Sequence, residues 1–428
     1  MKIAVAGLWH LGVVYSVGLS HLGHKVIAFD SSLQNVETLK KGDLPVYEPD
    51  LLNLLRISQS QENIVFTDDY DNLMEVDLLI VAYDTPIDQS EKPDSALVIR
   101  AIEKIICHIS TDTEIMISSQ LPVGSSSYIE KVMRDKGLEG NVIVQPENLR
   151  LGKSVETFFK PERIIIGTSN GEPSEVAISL FMPLKTSLVW VKRESAEVIK
   201  HALNAYLAMN VAFMGEIAEI CEQNGADAKE VEMGLKTDSR VGEKAYLSPG
   251  LGFSGNTLSR ELFVLSKLQS NSRPKPTLLE SILISNAHNN SWLRRQLESY
   301  IQGNSKLKIC FWGVTYVENT STLRGSIILD TMNWLNGKGH EVSFVESIEI
   351  DESELRSFTK IQLLESFKGC NALVVYKNFF NNSWTKKLSD DLLDLAEKEM
   401  VILDPFAYLA ALEPSFYKSS RYITVGKG

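Results

Sequence analysis

The residues best placed to do chemistry interrupt one long, apolar-periodic segment. Lys200 and Asn204 lie inside residues 194–222, where Val198, Leu203, Ala205, Leu207, Phe213, Ile217 and Ile220 recur at helical spacing. The run contains no Pro, and Gln223-Asn224-Gly225 is a stop signal, so the spacing predicts a helix of about eight turns. Residues four apart share a helix face. The functional reading of an ammonium and a carboxamide on one face is that both point into a cleft between domains. The competing reading is a solvated helix edge, and the flanking segments decide between them.

A second feature opens the chain. Lys2–Ala6 is a strand, Gly7-Leu8-Trp9-His10-Leu11-Gly12 is a turn, and a helix runs from there through Leu22 to Gly23. A further strand, Lys25–Phe29, is closed by Asp30. In such a βαβ unit a phosphate sits on the helix N-terminus, and an acid about twenty residues on takes ribose hydroxyls. Asp30 favours NAD over NADP, because a 2′-phosphate would be repelled. Trp9 departs from the G-x-G-x-x-G pattern, in which glycine lets the backbone approach the pyrophosphate. Its ring can swing aside, stack on the cofactor or block it, and a nucleotide-free scaffold stays open as the alternative. Residues 77–83, 114–120 and 141–144 also read as strands. They lead into Asp84-Thr85-Pro86, Leu121-Pro122-Val123-Gly124 and Gln145-Pro146-Glu147-Asn148. Polar loops at successive strand ends mark the edge where doubly wound sheets bind ligands.

The elements that must position these groups are bounded by length and composition. A chain of 428 residues is expected to form two or three domains. With 44% hydrophobic and 23% charged residues, the composition is that of a soluble globular protein. A net charge of −12 argues against nucleic acid or an anionic membrane as partner, so any phosphate is held locally. No apolar run is long enough to span a membrane, and the first residues enter a strand directly rather than a leader peptide. Cys107, Cys221, Cys310 and Cys370 have no metal or redox spacing. The first three lie in apolar sequence and read as buried free thiols, which suits a reducing cytoplasm. Residues 306–313 repeat the strand-turn opening of the chain, a helix follows over 325–335, and 341–345, 371–376 and 401–404 are further strands. The expected fold class is α/β: two Rossmann-like doubly wound parallel sheets joined by the long helix. The expected domains are 1–190 for the cofactor, 191–303 for the helical region and 304–428 for the second sheet.

Taken together, the landmarks resemble the UDP-glucose/GDP-mannose dehydrogenase family over nearly the whole chain. They are the Gly7 turn, Asp84-Thr85-Pro86, Ser119-Gln120-Leu121-Pro122-Val123-Gly124 and Pro146-Glu147-Asn148-Leu149. They continue through Pro161-Glu162-Arg163, the Lys200/Asn204 helix, Pro249-Gly250-Leu251-Gly252-Phe253-Ser254-Gly255, Gly313-Val314-Thr315-Tyr316 and Leu323-Arg324-Gly325-Ser326. The resemblance implies oxidation of the C6 alcohol of a nucleotide sugar with NAD, a homodimer built on the long helix, and a place in polysaccharide precursor synthesis. It implies Lys200 as oxyanion stabiliser, Asn204 as orienter of sugar and water, and Glu147 as the residue that activates water. Cofactor contacts would come from Gly7, Trp9, His10, Leu11, Gly12, Asp30, Thr85, Gln120 and Arg324. Contacts to the substrate would come from Leu149, Tyr246, Leu247, Gly252, Phe253 and Gly255.

The chain departs from the family pattern at the nucleophile. The family has a cysteine in G-G-x-C-x-x-K-D; here the run is Ser254-Gly255-Asn256-Thr257-Leu258-Ser259-Arg260-Glu261, with Thr257 in the cysteine's place. A Thr hydroxyl is a poor substitute, because its pKa lies far above a thiol's and it needs a strong adjacent base. Gln120 stands where a Thr is usual, Leu151 replaces a second Glu, Val317 replaces a Lys, and Ser321-Thr322 replace acids. Two readings follow: an enzyme that oxidises the sugar without a thioester, to aldehyde or to acid, and a non-catalytic binder of the same ligands.

Overall fold

The computed structural model describes residues 1–85, 94–147, 149, 152–269, 274–303, 306–316, 323, 325–346, 350, 352–361, 367, 369–377, 386–398 and 400–428. Pro86, Asn148, Leu151, Val317, Ser321, Thr322 and Arg324 lie outside these residues. The chain packs as two compact units, Met1–Leu203 and Asn204–Gly428.

The first unit is built on eight strands: β1 (Lys2–Ala6), β2 (Lys25–Phe29), β3 (Ile64–Thr67), β4 (Leu78–Val81), β5 (Glu114–Ile117), β6 (Val142–Val144), β7 (Arg163–Thr168) and β8 (Ser187–Lys192). Their order is β3-β2-β1-β4-β5-β6-β7-β8. Only the β6–β7 pairing is antiparallel. β4, and β1 after Lys2, are apolar because helices cover both faces of a parallel sheet. Ile3, Val5 and Ile80 pack into one core, and Ala4, Ala6 and Leu79 into the core on the opposite face. The winding reverses between β1 and β4, and at such a reversal the strand ends leave a crevice. That crevice receives the Gly7 turn.

The long helix spans Arg193–Asn224, one residue before and two beyond the expected run. It crosses the division between the units, so Lys200 belongs to the first and Asn204 to the second. In the second unit its Ala205, Ala208 and Ala212 pack on Phe253, Leu262 and Ile282, where small side chains allow close approach of the helices Asn256–Leu268 and Leu278–Asn290. The second sheet comprises β9 (Lys308–Trp312), β10 (Glu341–Val345), β11 (Thr359–Lys360), β12 (Ala372–Val375), β13 (Val401–Leu403) and β14 (Tyr422–Ile423). Its order, β11-β10-β9-β12-β13-β14, repeats the winding of the first six strands of the other sheet, with every pair parallel. The α/β expectation and the echo near residue 307 are therefore both met.

One expectation fails. Cys107 is exposed, not buried, because it sits on a short 3-10 turn at the end of the helix Ser95–Ile105, with Lys136 Nζ 3.2 Å from its sulfur. Cys221, Cys310 and Cys370 are buried. Among the described residues no cluster could hold a metal, and no helix is long and apolar enough to cross a membrane.

Candidate functional site

The dinucleotide turn is shaped by close approach. Gly7 has φ +99°, and a Cβ there would stand 2.7 Å from the Tyr83 ring, so only glycine fits. Trp9 has a negative φ of −102°, so its position makes no demand for glycine, and the residue is 47% exposed. Asp30 is buried at the end of β2. Its Oδ2 accepts the Leu8 N–H at 2.7 Å and Asn35 Nδ2 at 3.1 Å, while Oδ1 accepts the Ser32 N–H at 2.9 Å. A carboxylate offers about four acceptor positions, so one remains for a ribose hydroxyl. These features fit NAD. His10, the first residue of its helix, has Nε2 2.9 Å from Glu48 Oε2 and 3.2 Å from Ser154 Oγ. Glu48 also accepts the N–H groups of Gly152 (3.1 Å) and Ser154 (2.6 Å). Thr85 Oγ1 donates to the Gln120 carbonyl at 2.6 Å and ties the loops after β4 and β5 together.

The second cluster lies at the ends of β5 and β6. Lys200 Nζ donates to the Glu147 carbonyl oxygen at 2.5 Å and stands 3.5 Å from Glu147 Oε1. Both side chains are largely buried, 13% and 23% exposed. Glu147 Oε2 accepts the Leu149 N–H at 2.6 Å, which fixes the loop. Behind it, Gln145 Oε1 accepts the hydroxyls of Tyr15 and Ser118, and Gln145 Nε2 donates to the Pro146 carbonyl at 3.0 Å. Burial and the Glu147 charge hold the Tyr15 phenol well above its ordinary pKa, so it stays a donor. A cavity of about 30 Å³ is lined by Ser118, Ser119, Gln120, Glu147, Lys200 and His201, among others. That is room for one water beside the paired ammonium and carboxylate.

The helix carrying Lys200 is fixed by a residue three positions earlier. Glu197, 8% exposed, accepts the N–H groups of Gly124 (2.7 Å) and Ser126 (2.9 Å) at the N-terminus of the helix Ser125–Asp135. A carboxylate there also meets the positive end of the helix dipole. His201 Nε2 lies 3.3 Å from the Leu121 carbonyl. Glu48, Tyr15, Glu197 and His201 escaped sequence reasoning, and Gln145 is legible there only as part of a polar loop. Their partners lie tens of residues away, and the signal available was only that of polar residues in otherwise apolar elements.

In the second unit Asn204 is 7% exposed, and its Nδ2 has no partner among the described residues. A buried amide donor usually has one; a substrate hydroxyl or water would supply it. Leu247 and Phe253 are buried, whereas Tyr246 is exposed. The Phe253 carbonyl accepts Asn286 Nδ2 (2.8 Å) and Asn290 Nδ2 (2.9 Å), and a Cβ on Gly252 would meet Asn290 Oδ1 at 2.6 Å. Gly255 caps the helix Asn256–Leu268 with φ +70°, and exposed Thr257 lies in that helix's first turn. Glu261, on the same helix, is fully buried and 3.3 Å from Arg260 Nε. Arg324 lies outside the described residues.

Residues 1–185 match the NAD binding domain of the UDP-glucose/GDP-mannose dehydrogenase family, and residues 194–288 match its central domain. The UDP-glucose 6-dehydrogenase of Rickettsia bellii is 31% identical, covering 100% of this chain and 99% of its own. The UDP-glucose 6-dehydrogenase of Rhizobium meliloti is 30% identical, covering 80% of each. A solved UDP-glucose dehydrogenase from Pyrobaculum islandicum superposes with a TM-score of 0.85 over 100% of this chain and 98% of its own. At 21% identity that last likeness bears on the fold alone.

Proposed function

Since the chain belongs to the UDP-glucose/GDP-mannose dehydrogenase family, it is an NAD-dependent nucleotide-sugar oxidoreductase, and we propose that it oxidises the C6 alcohol of a UDP-glucose-like substrate without a covalent thioester. The observation that carries the reading is the Lys200 ammonium held against Glu147 beside a one-water cavity. No cysteine occurs between Cys221 and Cys310, so the Gly-rich loop and the helix after it offer Thr257 in place of a thiol.

The chemistry assigned to each residue follows from its type. NAD, when bound, accepts the hydride. The residues that would hold it are Gly7, Trp9, His10, Leu11, Gly12, Asp30, Thr85, Gln120 and Arg324. Lys200 stabilises the alkoxide as the C6 hydroxyl passes its proton to a water and so to solvent. Asn204 donates its unsatisfied N–H to the sugar or to water. Glu147 takes a proton from the water that adds to the aldehyde. Thr257 hydrogen-bonds the carbonyl or its hydrate without adding to it. Leu149, Tyr246, Leu247, Gly252, Phe253 and Gly255 hold the diphosphate and sugar. The working parts are then 1–190 for cofactor, 191–303 for the helical region and 304–428 for the nucleotide of the substrate. A homodimer in the cytoplasm completes the proposal. Tyr206, Phe213 and Ile220 recur every seven residues on the long helix and are 54%, 45% and 54% exposed, an apolar stripe suited to a second copy.

The test is purified protein with NAD and a panel of UDP- and GDP-sugars, counting NADH per sugar consumed. Two per sugar means that the hydrated aldehyde is oxidised to the acid; one means that the enzyme releases the aldehyde. None, with a sugar that demonstrably binds, would overturn the reading and leave a binding protein.

A further inference from the structure

The two sheets wind alike, yet their crevices differ in what fills them. In the first, the Gly7 turn leads to Leu8, whose N–H meets Asp30. In the second, Gly313 has φ +93°, and Glu346 Oε2 accepts the N–H groups of Val314 (3.0 Å) and Thr315 (3.4 Å). Where Tyr83 lies against Gly7, the Lys377 side chain lies against Gly313: a Cβ there would come 2.7 Å from its Cγ. Lys377 Nζ is 3.5 Å from Glu346 Oε2, with side chains 1% and 0% exposed. A buried lysine and its carboxylate thus stand in the second sheet where Tyr83 and Asp30 stand in the first.

What reaches this edge is the unit's own Gly-rich loop. Three aromatic residues leave the C-terminal ends of neighbouring strands: Tyr316 after β9, Tyr376 after β12 and Phe406 after β13. Tyr316 OH donates to the Ser254 carbonyl at 3.0 Å. The Ser254 side chain also faces the Tyr376 phenol, whose pKa it pulls down against the larger effect of burial. Gly255 lies directly on the Tyr316 ring, where a Cβ would be 2.5 Å from Cζ, and a Cβ on Gly325 would be 2.8 Å from Gly255 Cα. A Cβ on Gly250 would be 2.6 Å from the Phe406 ring. The glycines at 250 and 255 are therefore needed for contact with aromatics, not for loop mobility. Burial raises both phenols, Tyr376 to about 12, so each remains protonated at neutral pH and able to donate.

We propose that the crevice of the second sheet is a clamp for the substrate loop, with Tyr316 and Tyr376 as positioning residues that hold Ser254 and so set the N-terminus of the helix bearing Thr257. The Lys377–Glu346 pair fixes the turn from which Tyr316 projects. The loop meets the nucleotide sugar only in the shape that the second sheet imposes. This rests on the proposed function for its kinetic consequence, but not for its geometry.

The decisive variants are Y316F and Y376F, which keep the ring packing and remove one hydroxyl each. Amide hydrogen exchange across residues 249–260 is expected to quicken in both, by about tenfold for Y316F, because one loop hydrogen bond is lost. KM for UDP-glucose is expected to rise by about tenfold in Y316F, with KM for NAD unchanged. G255A, which introduces strain and a clash with Tyr316, should raise KM further. If the wild-type chain forms no NADH, the functional reading falls and the exchange comparison still judges the clamp. Exchange rates and KM in Y316F and Y376F equal to wild type would overturn the clamp itself.

Discussion

Glu197→Gln isolates the contact that sets where Lys200 stands. The substitution keeps shape and volume but turns one carboxylate oxygen into an NH2 group. One of the two N–H groups, from Gly124 at 2.7 Å or Ser126 at 2.9 Å, must then face a donor. A charge-assisted bond is worth roughly 1.5–3 kcal/mol, and a buried unsatisfied N–H costs a similar amount. Loss of the charge at the helix N-terminus adds about 0.5–1 kcal/mol. The lost bond and the bare N–H are one loss, counted once, and at 8% exposure water relieves little of it, so with the helix-end charge the cost is about 3 kcal/mol. For a unit the size of the first, that corresponds to a fall in Tm of roughly 6–12 °C. Lys200 lies three residues along the same helix, so kcat is expected to fall at 25 °C, where the variant remains folded. Differential scanning calorimetry with steady-state kinetics measures both. A Tm within 1 °C of wild type, with unchanged kcat, would refute the claim that Glu197 anchors the helix.

Three further outcomes are expected. Lys200→Met should lower kcat by about 10²–10³-fold with little change in the dissociation constant of NAD, measured by NADH formation and by titration calorimetry. Trp9→Gly should change KM for NAD by more than about threefold, because Trp9 replaces the glycine that in G-x-G-x-x-G lets the backbone approach the diphosphate; an unchanged KM places the ring clear of the cofactor. Asp404 has its pKa raised by burial to about 6, although Leu409 N–H (2.7 Å), Tyr408 N–H (3.0 Å) and Tyr422 OH (2.7 Å) all donate to it. The folded state binds its proton more tightly than the unfolded chain does, so this contribution to stability is full below about pH 4 and is lost as pH rises through about 6. Asp404→Asn is expected to flatten the dependence of Tm on pH across that window.

Local signals made much of the architecture legible. The Gly7 turn and Asp30 could be read because a βαβ unit writes its cofactor chemistry into about thirty contiguous residues. The long helix could be read because its apolar period persists over eight turns, with an error of one or two residues at its ends. Lys200 and Asn204 could be named, but the meeting of Lys200 with Glu147 spans 53 residues of chain and appears only on folding. The same holds for Glu48, which gathers His10, Gly152 and Ser154 across more than a hundred residues. Cys107 misled because Ile105, Ile106 and Ile109 surround it in sequence, and the 3-10 turn that faces it outward leaves no periodic trace. Tyr316 and Tyr376 stood in recognisable strand ends, yet their shared grip on Ser254 depends on the winding order of the second sheet.

The central claim is oxidation of a nucleotide sugar without a thiol. The most direct measurement follows NADH at 340 nm from UDP-glucose before and after exhaustive alkylation of the folded protein with iodoacetamide. Mass spectrometry confirms modification of the exposed Cys107. The account predicts the same rate and the same number of NADH per sugar in both samples. Loss of NADH formation in proportion to alkylation would contradict it and return a cysteine to the chemistry.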